Sequence, residues 1–257
     1  MTAIDYINPL LICAAILYFA AGALFLSRRR SLAVTILTAA WIVNAAVMVL
    51  NGIMVGDIPM GNMYQVQVVL SLCFPPLLLL LALRDRLGWT AVYFACASAL
   101  PLIGAVFMDK QSGWKRMPAL QSGWFVPHVL AYMIAYALCT VAFIMLLQLW
   151  VDKRRRTEYR RAIYLILRTA FPFMTFGLLS GALWAEEAWG QYWSWDPKEV
   201  WSLITWGLYL VYFHCRTSSW QRWADWAHLL AFLALLTTFF LVNLLPKLGS
   251  ILHSYAS

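Results

Sequence analysis

The sequence predicts an all-α membrane protein: a bundle of eight transmembrane helices with both termini on the outer, periplasmic side. Three observations carry this. The 257 residues are 63% hydrophobic and only 12% charged, against about 45–50% and about 25% in soluble domains. The apolar residues come in runs of about 20, the length that crosses a bilayer. Basic residues gather in alternate links between those runs.

The runs lie at 8–27, 31–50, 64–83, 89–108, 126–150, 162–183, 200–215 and 226–245. Each must be a helix, because lipid offers no partner to an unpaired backbone group. The first has no Lys or Arg before Arg28. A cleaved signal peptide needs a basic start, so this run reads as a permanent span. The fifth opens at His128, after a long outer segment. The sixth carries Gly177 and Gly181, a GxxxG pair that reads as a close-packing signal between helices. The seventh follows Asp196-Pro197-Lys198-Glu199, which fits a helix start: Asp as N-cap, Pro first, Glu third. Asn, Gly, Pro and charged residues mark the links. No soluble domain is inserted, so 1–257 reads as one polytopic domain.

Orientation follows from the basic residues. One set of links holds Arg28, Arg29, Arg30, Arg84, Arg86, Lys153, Arg154, Arg155, Arg156, Arg160, Arg161, Arg216 and Arg222, with Arg168 able to snorkel to the same side. The other holds Lys110, Lys115, Arg116, Lys198 and Lys247. The richer set faces the cytoplasm. Three outer segments are then long enough to carry function: 51–63, 109–125 and 184–199, together with the tail 246–257.

Charge and cysteines exclude several classes. The net charge of +8 does not imply nucleic acid, because the basic residues sit at the ends of apolar runs. The five cysteines (Cys13, Cys73, Cys96, Cys139, Cys215) are far apart, with no CxxC and no CxxCH. That excludes a thiol oxidoreductase and a c-type cytochrome, and leaves small apolar packing residues.

The segment WAEEAWGQYWSWDPKEVWSLITW, Trp184 to Trp206, holds six of the fourteen tryptophans. An interfacial aromatic belt explains one or two per helix end. It does not explain Trp189, Trp193 and Trp195 set beside Gly190 and Asp196 in one short loop. Such a loop offers a flat apolar shelf suited to a planar macrocycle. A helix starting at Asp196 would add free N–H groups and partial positive charge. With Lys198 beside it, that end would receive acidic substituents of the macrocycle.

The four histidines sort by side. His128 and His253 flank the membrane on the side of the tryptophan shelf. Imidazole is the usual axial ligand of haem iron, so the pair points to a bis-histidine haem site. His214 ends the seventh span, about 20 Å along the helix from Trp201. It cannot reach the outer haem. It reads either as a ligand at an inner haem site or as an interfacial residue. His228, at the same level, reads as interfacial.

These residues resemble a known family. WGQYWSWDPKEVW (Trp189 to Trp201) resembles the WGxxWxWD signature of haem-handling cytochrome c maturation proteins. The continuation through Trp206 and the YxxYxH around His214 look most like the CcsA (ResC) family. IPMGNMYQ (Ile58 to Gln65), PALQSGWFVPHV (Pro118 to Val129) and LGSILHSYA (Leu248 to Ala256) look like the family's outer loop and its two outer-histidine segments. The resemblance implies that His128 and His253 ligate haem iron over the tryptophan motif, and that His214 belongs to an inner haem site. It implies a b-type haem held non-covalently in transit, a ResB (CcsB)-like membrane partner, and apocytochrome c as the substrate of a complex in which this chain is a non-autonomous subunit of the haem lyase.

The reading that follows is a haem-transport and presentation subunit of cytochrome c maturation, in the bacterial cytoplasmic membrane or a thylakoid. The alternative is a HemX-like membrane regulator of tetrapyrrole synthesis, which shares the fold and much of the motif. A respiratory cytochrome b would need histidines at mid-membrane, and no histidine is placed there.

Overall fold

The computed structural model describes residues 3–108, 110 and 118–242. Among them the chain is helical apart from short links. Eight α-helices follow in order: α1 (Ala3–Leu26), α2 (Arg30–Val55), α3 (Met63–Asp85), α4 (Ala91–Phe107), α5 (Phe125–Val151), α6 (Arg156–Trp189), α7 (Pro197–Thr217) and α8 (Gln221–Leu236). Each covers one expected run. Seven are long and apolar enough to cross a membrane; α7 does not reach that hydropathy. Its first half interleaves Lys198, Glu199, Ser202 and Thr205 with tryptophans. The chain is a multi-pass membrane protein.

The helices fall into two compact units, Met1–Met117 and Pro118–Ser257. In the first, α1 packs on α2 and α4, and α3 packs on α2 and α4, which closes a ring of four. Small side chains line the contacts: Ala14, Ala21, Ala33, Ala40, Ala95 and Ala97 have no accessible surface. Small residues let helix backbones approach where lipid supplies no hydrophobic drive. The link before α3 is built for a helix start. Asn62 caps it by accepting from the Gln65 N–H at 2.9 Å, and Gln65 Oε1 accepts from the Gly61 N–H at 2.7 Å. The conspicuous GNMYQ string therefore satisfies backbone groups.

Pro75 and Pro76 lie inside α3. Pro76 has no N–H to donate to the Leu72 carbonyl one turn back. The Trp41 indole of α2 supplies the missing donor, at 3.1 Å. A proline defect is thus closed by a neighbouring helix, as apolar surroundings require.

In the second unit α5 packs on α6 and α8, and α7 packs on α6 and α8, the same ring order. At 34 residues, α6 is about 50 Å long, more than the roughly 30 Å hydrocarbon core. Its two ends therefore project past the membrane interior. At the arginine-bearing end, Arg160 pairs with Asp225 of α8 at 2.5 Å. The other end meets the start of α5 and the link to α7.

Candidate haem-ligand site at the α6–α7 end

His128 lies one turn into α5 and faces α6. Its Nδ1 is 2.8 Å from the Gly177 carbonyl oxygen. A carbonyl only accepts, so Nδ1 carries the proton and Nε2 holds the lone pair. A bond of this kind fixes an imidazole's tautomer and ring plane. The ring also rests on Gly181. A Cβ there would stand 2.6 Å from both Cε1 and Nδ1 of His128. One turn away, a Cβ on Gly177 would stand 3.0 Å from the Tyr132 ring. The GxxxG pair is therefore more than a helix-packing notch: it is the seat of the imidazole.

Trp184 holds the other face. It is 2% exposed, and its ring stacks on His128 at 5.4 Å and 30°. Its indole donates to the Ala119 carbonyl at 2.7 Å. Ser122 donates to Glu187. These two bonds pin the segment before α5 to the last turns of α6. In the sequence Trp184 stands out only as the start of the tryptophan stretch. The signal that marks it is its position, three residues after Gly181 on the same helix face.

The tryptophans form steps rather than one flat surface. Trp189 tilts against Trp184 at 4.9 Å and 59°. Trp193 and Trp195 meet edge to face at 5.9 Å and 87°. Between the pairs, Gly190 ends α6 with φ +74°, and its N–H donates to the Glu186 carbonyl at 2.8 Å. Glycine takes that left-handed conformation without steric cost.

Trp195 does not share that freedom. Its φ is +59° and its side chain is 71% exposed. A left-handed non-glycine residue costs about 1–2 kcal/mol. The cause is Glu199. Its Oε2 accepts from the Ser194 N–H at 2.8 Å and from the Asp196 N–H at 3.2 Å, and the Ser194 hydroxyl donates to it at 3.1 Å. One carboxylate thus clamps the residues on either side of Trp195 and turns its indole outward. The expected capping box is present, with Asp196 as N-cap and Pro197 in the first turn. Asp196 is buried and accepts from the Lys198 N–H at 2.9 Å. Its carboxylate serves the backbone. Burial pushes the Lys198 amine down to about 8, and the Asp196 charge opposes that shift.

The remaining histidines part company. His214 is exposed, in the last turn of α7, at the end opposite the capping box. His228 has no accessible surface. It sits 5.8 Å from the rings of both Tyr209 and Tyr212. Its burial was not legible in sequence, because α8 turns that face into the unit. His253 lies outside the described residues.

The family model described as "Cytochrome C assembly protein" matches residues 6–249. The chain belongs to that family. Similar relatives include the "Cytochrome c biogenesis protein CcsA" of Chlamydomonas reinhardtii, 33% identical over 78% of this chain and 61% of its own length. Those of Mesostigma viride and Atropa belladonna are 31% and 32% identical, with 77% and 78% of their own lengths covered.

Proposed function

We propose that this cytochrome c assembly protein transports haem and presents it for attachment to CxxCH motifs of apocytochrome c. Eight spans, with both termini outside and the α6–α7 end at the outer face of the bacterial cytoplasmic membrane or a thylakoid, make up the reading. So does the action of both units as one haem-handling domain. The observation that carries it is the seat of His128: a backbone acceptor, a glycine with no room for a Cβ, and a stacked indole. That much preparation suits a ligand atom and is more than a packing histidine needs.

Haem iron, once ligated, supplies the redox-poised centre of an electrophilic porphyrin whose vinyl groups take up thiols. The protein's part is to hold and orient. His128 would offer Nε2 to the iron, and His253 would be the second ligand. Trp189, Gly190, Trp193 and Trp195 line the apolar steps beside it, and Lys198 with the start of α7 receives propionates. Asp196 and Glu199 shape the loop. His214 belongs to an inner site on the route outward. The haem is b-type and non-covalently held, and a ResB (CcsB)-like membrane protein completes the complex as a non-autonomous haem lyase.

The test is an absorption spectrum of the purified full chain. The wild type is expected to show a Soret band. His128→Ala is expected to lose it and added imidazole to restore it. In a strain lacking the native gene, His128→Ala is expected to leave c-type cytochromes unassembled. Unchanged Soret absorption and normal cytochromes in the variant would overturn the reading. Normal cytochromes with altered tetrapyrrole levels would instead identify a HemX-like regulator.

A further inference from the structure

The first unit contains an apolar cavity of about 600 Å³, bounded by α1, α2, α3 and the start of α4. Leu37, Trp41, Pro75 and Leu78 are among its walls. Trp41 is fixed there by its bond to the Leu72 carbonyl. Val34 and Leu79, also in the wall, are exposed, so the cavity opens sideways toward lipid.

Its charged wall residue is Arg30, the first residue of α2. Arg28 and Arg29 precede it, and all three are exposed. Among the described residues none of the three is paired with a carboxylate. The start of α2 has no side-chain cap and no acidic residue in its first turn. The first backbone N–H groups of α2 and its dipole add positive charge at the end where Arg30 lines the cavity. The cavity is apolar along its body and cationic at its head.

We propose that this cavity is a binding site for an anionic phospholipid, its phosphate on Arg30 and an acyl chain laid against Trp41 and the Pro75–Pro76 kink. The charge pattern selects the headgroup: basic pockets between membrane helices hold anionic lipids. The wall composition selects a lipid over a metalloporphyrin, because no wall residue is His, Cys, Met or Tyr, and none can ligate iron. The site lies wholly in the first unit and stands or falls apart from the haem reading.

Native mass spectrometry of the delipidated full chain tests it, with phosphatidylglycerol and phosphatidylcholine of matched acyl chains as probes. Wild type is expected to retain phosphatidylglycerol at least about five-fold more tightly, the contribution of one arginine near an anionic group. Arg30→Gln is expected to erase most of that preference. Ala82→Trp, which fills the cavity, is expected to abolish retention of both. The wild-type headgroup comparison decides the matter even if Ala82→Trp fails to fold. Equal retention of the two lipids, or an unchanged preference in Arg30→Gln, overturns the proposal. So does displacement of the lipid by added protoporphyrin, which would make the occupant a porphyrin.

Discussion

The two units share a ring of four helices with the same neighbour order, yet they hold different side chains. The first carries three tryptophans (Trp41, Trp89, Trp114) and no histidine; the second carries the other eleven tryptophans and all four histidines. Both use glycine to bring side chains against a helix. In the first, a Cβ on Gly22 would stand 2.7 Å from Cys96 Sγ, and the contact only packs. In the second, the equivalent closeness at Gly181 seats an imidazole. The same steric device yields compactness in one ring and a fixed imidazole in the other. What differs is the hydrogen bond on the far side: Cys96 is a free thiol, whereas His128 has a carbonyl to lean on.

The sharpest test applies one insult to both. Gly181→Val should displace His128 and remove the Soret band. Gly22→Val should lower the midpoint of thermal or detergent unfolding by the overpacking cost of about 1–3 kcal/mol and leave the haem spectrum unchanged. Equal loss of haem in both variants would erase the distinction between the units.

Next in size is the proline repair in the first unit. Trp41→Phe orphans the Leu72 carbonyl, a cost of about 1–3 kcal/mol. Pro76→Ala restores the backbone N–H, so Trp41→Phe should cost less in that background. A double-mutant cycle on unfolding midpoints measures the difference, and strict additivity would refute the repair.

A smaller effect belongs to the second unit. Trp195→Gly should relieve the left-handed strain and stabilise the fold by about 1 kcal/mol, while weakening haem retention. Stabilisation combined with unaltered retention would remove Trp195 from the site.

The smallest concerns Lys198. With its amine pushed down to about 8, it is cationic below that pH and neutral above it. Its attraction for a propionate is present below pH 8 and is lost as pH rises through it. Haem affinity should then fall up to about five-fold across pH 7 to 9, the scale of a surface ion pair. Lys198→Arg stays charged and should flatten the profile, whereas Lys198→Met should be weak throughout. A slope surviving in Lys198→Met would assign it to another group.

Much of this was legible beforehand, and the exceptions have causes. Apolar runs located every helix, because bilayer thickness sets their length. The ends of α6 escaped, since Arg156 to Arg161 and Glu186 to Trp189 lie beyond the apolar stretch. The division into two units left no trace in composition, because no soluble linker marks it. His128 was identifiable by type and side. Its orientation was not, because the acceptor Gly177 is 49 residues away and reads locally as a packing motif. Glu199 was recognised as a cap, but its grip on both neighbours of Trp195 depends on a left-handed turn that no residue there advertises.

The seat of His128 is also short in chain terms. Ala119, His128, Gly177, Gly181 and Trp184 all fall within one helical hairpin and the turn before it. A chain made and inserted from its N-terminus completes that hairpin before α7 or α8 exists. The imidazole is therefore oriented during synthesis, and the tryptophan steps are added around a ring already in position. Order of manufacture, as well as final geometry, leaves that nitrogen set before the rest of the unit has formed.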